Sequence, residues 1–575
     1  MRFAEGSPYM RRPAALRTAV LAAGLATTLA ISVTSGLSAA QAQDAAVSVR
    51  LLAFNDLHGS LEPPPGVRSQ VKHADGSLVP AGGAAYLAAY VDQLRGQATH
   101  SLLYSVGDNW GSSALESAMF HDEPTVQLLN RMGVDASAIG NHELDEGYAE
   151  FRRMQTGGCH PADGCRFGNT FEGANFPLLA ANMEFDDGAP ATLPFTVNYV
   201  EGIPVGVIAT MPADTATMVT PEGVGGLRFT DELAAVDRTA DLLDFFGVRA
   251  IALLLHKGAE PVADNGPNSC EVTSGPARDL ALRVSPKVDV IFTADSHQQY
   301  NCSFPDPMGN PRVMMQGASH GRIVSVVDVS IDRTTRDVLR DRASAFNQVV
   351  THDIPSDPDI QALADGAAAQ ASEIGAGRVA SLTGDLTRDE TGSGESTLGN
   401  VVADAQLAAG SGHGAQVALT NPGGLREDLL RGPDGAVTYG QTYAAQPFGN
   451  TLEVLTVTGT TLKRALEQQF QPRGDGTITE RILAPSSSLT YTVNRSATVG
   501  ERISDIRVNG DAVVPEGTYR VAVNKFLADG GDGFDAFRTR AEAVHAGCDL
   551  DAFTAYLGTT SPVTPPNTDR ITVVG

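Results

Sequence analysis

Val47-Ser-Val-Arg-Leu-Leu-Ala-Phe54 runs straight into Asn55-Asp56-Leu57-His58-Gly59, and this junction decides the fold. The first run has the length and apolar content of a buried strand. Its end sets a carboxylate and an imidazole two residues apart, on one face of an extended chain. The same figure returns downstream. An apolar run at 102–106 stops at Gly107-Asp108, and 136–139 delivers Gly140-Asn141-His142-Glu143. The run 250–255 ends at His256, and 288–293 ends at Ala294-Asp295-Ser296-His297. Residues 203–210 read as a further strand, and 313–316 with 323–331 as another strand pair. Between them, 84–94 carries Leu87, Tyr90, Val91 and Leu94 at helical spacing, and 124–132 opens with a proline suited to a helix start. Strands alternating with helices predict a layered α/β domain, with its chemistry just past the C-terminal ends of the strands.

Oxygen and imidazole donors at successive strand ends suit a pair of hard or borderline divalent cations. Asp56 and His58 can hold one cation, and Asp108 is the natural bridging carboxylate. Asn141 offers a neutral amide oxygen, while His256 and the Asp295/His297 pair close the set. Each motif alone recurs by chance, but five in this order, each after an apolar strand, do not. A two-metal site narrows the chemistry to hydrolysis, most often at phosphorus.

The rest of the chain bounds where such a protein works. Arg11 and Arg12, an apolar stretch over 14–33 and Ala40-Gln41-Ala42 read as a secretory signal peptide over 1–42. A membrane anchor fits less well, because Thr27, Thr28, Ser32, Thr34 and Ser35 dilute the stretch. No later segment is long and apolar enough for a helical span, so an exported protein, periplasmic or extracellular, is expected. The formal charge is −26, near −29 without the leader, which argues against binding a nucleic-acid polymer. Anionic substrates must then be drawn in locally by metals or arginines. Five cysteines fit an oxidising compartment, with Cys159–Cys165 and Cys270–Cys302 expected as disulfides and Cys548 left over. The first domain is expected over 43–350. The Ala-rich segment 351–378, with Ile360, Leu363, Ala367, Ala371 and Ile374 at helical spacing, reads as a connecting helix. A second domain over 379–575 has its own Gly-rich turns at 421–426, 447–450 and 526–533.

These segments together resemble the two-domain 5′-nucleotidase family of the calcineurin-like metallophosphoesterase superfamily, which includes periplasmic 5′-nucleotidase/UDP-sugar hydrolases. In the second domain the resemblance is carried by Glu395-Ser-Thr-Leu-Gly-Asn400, the 421–426 turn, Pro447-Phe448-Gly-Asn450 and the 526–532 turn. It implies a four-layer sheet sandwich joined to an α+β substrate-binding domain, with rotation between the two. It also implies two divalent metal ions (manganese, zinc, magnesium or calcium). Asp56, His58, Asp108 and His297 would hold one, and Asp108, Asn141 and His256, with the residue at 295, the other. His142 would stabilise the transition state, oriented by Asp145. Phe448 and Phe526 would sandwich a nucleobase, Asp532 would contact the ribose, and Asn421 and Arg426 would lie near phosphate and base. The partner implied is a small-molecule nucleotide.

Three departures stand out. Asp295 replaces an imidazole the family usually has: as a ligand it favours harder metals, and turned away it leaves one ligand fewer. Gly392, Ser393 and Gly394 stand where the family often carries arginines, with Arg388 the nearest cation. Pro422 stiffens the Asn421-Pro422-Gly423-Gly424 turn. The sequence therefore reads as a 5′-nucleotidase. The alternatives are a 2′,3′-cyclic-nucleotide phosphodiesterase/3′-nucleotidase, a nucleotide-sugar pyrophosphatase, or a non-catalytic nucleotide-binding protein.

Overall fold

The computed structural model describes residues 45–575 apart from 65–68, 74, 220, 263–265, 473–476 and 540–541, so the expected signal peptide lies outside the described residues. Two six-stranded sheets form the first half. In the first, strand Ala46–Phe54 lies between Ile323–Asp332, antiparallel to it, and Ser101–Ser105, parallel to it. Ala136–Ala138 and Leu178–Leu179 continue the parallel side. In the second, Ile203–Thr210, Ala250–Leu255, Val290–Thr293 and Pro311–Gly317 run parallel.

Side-chain alternation along the strands builds the layers. Val47, Val49, Leu51 and Ala53 pack against Val205, Val207, Ala252 and Leu254, so the two sheets meet face to face. Leu52 and Phe54 point the other way and bury against Leu87, Val91 and Leu129 of helices Ala84–Gly96 and Glu123–Met132. On the far side, Ile251 and Leu253 bury against Ala235, Val236 and Ala277 of helices Glu232–Phe245 and Pro276–Arg283. The result is the expected helix–sheet–sheet–helix sandwich.

One expectation fails. The runs at 313–316 and 323–331 do not pair with each other. Pro311–Gly317 belongs to the second sheet, beside Gln299–Pro305 and Val290–Thr293, and Ile323–Asp332 belongs to the first. The linking turn, with Ala318 and His320 in the left-handed region, carries the chain from one sheet to the other. Both runs are buried, so apolar content alone does not separate a hairpin from a crossing.

Both expected disulfides, Cys159–Cys165 and Cys270–Cys302, are formed, and Cys548 is free. The connecting segment forms the helix Pro358–Gly375, capped by Asp357, whose side chain accepts from the N–H groups of Asp359 and Ile360. Its Ile360, Leu363, Ala364, Ala367 and Ala371 bury in the same cluster as Leu87 and Val91. The second half centres on a five-stranded sheet in which Thr518–Asn524 lies between Val417–Thr420 and Thr451–Thr458. The turns named in the sequence sit at the ends of these strands.

Arg312, 2% exposed, anchors the second sheet to the Pro276–Arg283 helix. Its guanidinium donates to the carbonyls of Ser285 at 2.8 Å, Val288 and Val284 at 3.2 Å, and Ala281. Arg312→Met should leave these acceptors unsatisfied and cost at least about 2 kcal/mol, measured by urea unfolding. A loss below about 0.5 kcal/mol, the range of ordinary surface substitutions, would refute this anchoring role.

Candidate metal centre and substrate cleft

Strand register brings the donors together. Phe54 pairs with Ser105 in the first sheet. In the second, Leu255 pairs with both Thr210 and Thr293. The segments after these pairs therefore leave the two sheets at one rim. There Asp56, His58, Asp108, Asp295 and His297 all hold left-handed backbone, with φ of 49°, 48°, 52°, 72° and 57°. Such conformations are costly for residues with a Cβ and persist where surrounding structure enforces them.

The donor atoms converge on two tight groups that share Asp56. Asp56, His58 and His297 form one, and Asp56, Asp108 and His256 the other, with all donors of a group within 4.8 Å of one another. His256 Nε2 is 3.1 Å from Asp108 Oδ2 and 4.0 Å from Asp56 Oδ1. His58 Nε2 is 3.9 Å from Asp108 Oδ2 and 3.2 Å from His297 Nε2, which is itself 3.8 Å from Asp56 Oδ1.

Three observations fit these residues to divalent cations. First, His58 Nδ1 and His256 Nδ1 donate to the carbonyls of Gly111 and Val106 at 2.8 and 2.7 Å, which turns each Nε2 lone pair into the site. Second, Asn141 Oδ1 is buried without a hydrogen-bond partner, and the buried His256 Nε2 faces the carboxylates of Asp108 and Asp56. Third, the charges are lopsided. Burial raises Asp56 above the usual carboxylate range, with Asp108 adding to the effect while His256 opposes it. Burial also opposes ionisation of Asp108, but His256 and His142 outweigh it and hold that carboxylate below the usual range. Burial pushes His58 down to about 3, so it is a neutral imidazole, the form that binds metal.

Glu143 braces this rim, a role the sequence reading did not assign. Its carboxylate accepts from the N–H groups of Asp108, Asn109 and Gly140 at 2.9, 2.6 and 2.6 Å, tying the two loops together. A Cβ on Gly140 would overlap Asp108 Oδ1 and the His256 ring, so only glycine admits this approach. Asn55 and the Asp295 N–H fix Asp56: Asn55 Nδ2 donates to Oδ2 at 2.5 Å, and Asp295 N donates to the two oxygens at 3.1 and 3.2 Å. The Asp295 side chain lines the cleft and belongs to neither tight group. His320 was also missed; its ring lies 5.8 Å from that of His58, and its Nδ1 is bonded to Ser60 Oγ at 2.9 Å.

His142 lies beside this centre. Its N–H donates to Asp108 Oδ1 at 2.9 Å, and its Nδ1 is 2.8 Å from Asp145 Oδ2. Burial disfavours the imidazolium, but Asp145 and Asp108 outweigh it and raise the ring above its ordinary pKa. The ring stacks on Phe448 of the second domain, 5.9 Å between centroids at 21°.

A cavity of about 590 Å³ joins the two halves. Asp108, Asn141, His142, Asp145, Asp295 and His297 line one part, with Asp56, His58 and His256 buried behind them. Asn421, Arg426, Phe448, Phe526 and Asp532 line the other, so the cleft gathers the expected substrate residues as well. Arg426 Cζ lies 5.9 Å from the Phe448 centroid. Asn421 Nδ2 donates to Asp532 Oδ2 at 3.0 Å, and Asn421 Oδ1 accepts from Asn524 at 3.0 Å. Phe526 lies across Gly531, where a Cβ would come within 2.5 Å of the ring. Arg388 is held by Asp428 instead, its N–H donating to Oδ1 at 2.9 Å. Arg481 and Lys525, which the motifs did not flag, line the cavity.

Comparison with known proteins agrees with this architecture. Residues 49–299 match the calcineurin-like phosphoesterase family, and 374–539 match the 5′-nucleotidase C-terminal domain. Endonuclease YhcR of Bacillus subtilis is 33% identical over 84% of this chain, which spans only 37% of that protein's length. Bovine 5′-nucleotidase is 24% identical, covering 91% of this chain and 90% of its own. The crystal structure of a 5′-nucleotidase precursor from Thermus thermophilus superposes with a TM-score of 0.75 at 25% identity, covering 92% of this chain and 99% of that one. With both domains matched in order and both sets of motifs gathered on one cleft, the chain belongs to the two-domain 5′-nucleotidase family of calcineurin-like phosphoesterases.

Proposed function

We propose that this protein is an exported, two-metal hydrolase that releases phosphate from nucleoside 5′-monophosphates and related nucleotides. One observation carries the reading: the carboxylate–imidazole centre and the aromatic, Arg-bearing pocket open into a single cavity of nucleotide size. Asp56, His58, Asp108 and His297 would hold one cation, and Asp108, Asn141 and His256 the other, with Asp295 joining from the cleft wall outside the two tight groups. Asp56 stands in both tight groups and Asp108 reaches both His58 and His256, so either carboxylate could serve both groups. Divalent cations bound there supply Lewis acidity toward phosphoryl oxygens and lower the pKa of water.

The chain's own residues do the rest. His142, oriented through Nδ1 by Asp145, lines the cleft and would act there as a cationic donor for charge that develops on the phosphoryl group or leaving oxygen. Arg426 supplies a fixed fork of donors beside it. Arg481 and Lys525 add cations where the Gly392–Gly394 turn lacks them. Phe448 and Phe526 offer π-faces that suit any base, and Asp532 accepts from a vicinal diol. Export is supported by the leader-like N-terminus and by two disulfides. Among the described residues, no helix is long and apolar enough to cross a membrane.

The direct test is phosphate release from AMP, UDP-glucose and cyclic AMP with manganese, repeated with chelator. Hydrolysis of AMP that chelator abolishes supports the assignment. Preference for the cyclic or sugar nucleotide favours the related esterase readings, and no hydrolysis across the panel favours a binding protein. His142→Ala should retain its metal content, by elemental analysis, and lose about a hundredfold or more in kcat. Near-normal turnover removes its role. Phe526→Ala should raise KM about tenfold through lost stacking while changing kcat little. An unchanged KM would place the base elsewhere.

A further inference from the structure

Beside the cleft, away from the buried donors, stands a second set of metal-binding side chains. His160 and Asp163 belong to the short loop closed by the Cys159–Cys165 disulfide. His121, in left-handed backbone with φ of 51°, faces them from the turn after the Leu115–Ala118 helix. The two imidazoles stack at 3.7 Å between centroids, 13° from parallel, so one ring must turn for both in-plane lone pairs to meet on one cation. His121 Nε2 is 2.9 Å from Asp163 Oδ2, which is 3.6 Å from His160 Nδ1. One donor atom from each of the three lies within 4.8 Å of the other two. On its opposite edge, His121 Nδ1 is 3.7 Å from Glu146 Oε2, and His121, Glu146 and Glu150 all line the substrate cavity.

We propose that His121, His160 and Asp163 form a third divalent-cation site, suited to a borderline ion such as zinc, at the wall of the substrate cleft. Two imidazoles and one carboxylate are a zinc donor set with a coordination position left open. Hard cations such as calcium and magnesium, which take oxygen ligands, do not match it. Glu146 on the far nitrogen of His121 is the contact that orients a metal-bound histidine and raises its basicity. His160 Nδ1 also accepts the Asp163 N–H at 3.2 Å, so coordination through that atom exchanges one weak bond for the cation. Arg166 pairs with the other oxygen, Asp163 Oδ1, at 3.0 Å, leaving Oδ2 for the ion. The disulfide confines both loop ligands, which lowers the entropy lost when they close on a cation. A cation here would pin the loop to the cleft wall and set positive charge beside Glu146 and Glu150. Without it, the same residues form an imidazolium–carboxylate network, since the Glu146 and Asp163 carboxylates raise His121 in spite of burial.

Crystals of the full chain equilibrated with zinc should give an anomalous difference peak, present above and absent below the zinc edge. It should lie within about 2.0–2.2 Å of donor atoms from His121, His160 and Asp163. No peak there overturns the site, whatever appears at Asp56 and Asp108. In solution, elemental analysis after dialysis should find about one zinc fewer per chain in His160→Ala and in Asp163→Asn than in the parent. Asp163→Asn preserves side-chain shape and covers the case in which His160→Ala does not fold, judged by circular dichroism. Equal zinc content in the parent and a folded variant also overturns the site.

Discussion

Two carboxylates, Asp56 and Asp108, are buried together where water cannot screen them, and the rest of the first domain is arranged around that cost. Burying a charge is tolerable only when it is paired or coordinates a metal. Three neighbouring histidines and one amide answer the demand, with the outward nitrogens of His58 and His256 tied to carbonyls so that their lone pairs face inward. The strand ends deliver these groups. The turns then hold four of them, with Asp295 beside them, in left-handed backbone, and Glu143 clips the Asp108 and Gly140 loops to one another. A cation held there would let both carboxylates stay ionised; in its absence burial raises Asp56, and Asp108 and Asp56 hold His256 well above its ordinary pKa against burial.

Much of this was legible in the sequence because parallel, doubly covered strands are continuous apolar runs and the donors sit directly at their ends. Strand 250–255 is buried along its whole length, and His256 is simply the next residue. The sheet to which a strand belongs was not legible. The runs on either side of the 318–322 turn have the same composition, and only the left-handed residues in the turn send the second run to the other sheet. Glu143 was quoted within a motif without a role, since a glutamate beside a ligand gives no sign that it accepts from three N–H groups. His320 and Arg481 are single polar residues in irregular segments, Lys525 opens the short helix Lys525–Ala528, and no periodicity announces where their side chains point.

On the function proposed above, the cleft would have to attract a dianion to a protein of formal charge −26. Long-range steering opposes this, so the attraction is local and short in reach. Arg426 lies among Asp108, Asp145 and Asp56, whose charges partly offset the burial that lowers its pKa. Placed there, it raises the local potential without making the surface basic. Arg481 serves the other part of the cleft, its Nε 3.8 Å from Asp532 Oδ1. The departure at Gly392–Gly394 thus leaves cations in the pocket, carried by other strands and turns.

Phe448 connects the two roles of the cleft. Its ring packs against His142 on the first domain and lies near the Arg426 guanidinium on the second. A base bound on the free face of Phe448 would press on a ring that itself packs against His142, the histidine proposed to assist the leaving group. Binding and proton placement are not independent in such a geometry. Groups remote from the reacting bond gain leverage on the transition state when their binding orders the residues that act on it. On the function proposed above, the aromatic wall, and not the metal donors alone, would then bear on which phosphate esters turn over and which only bind.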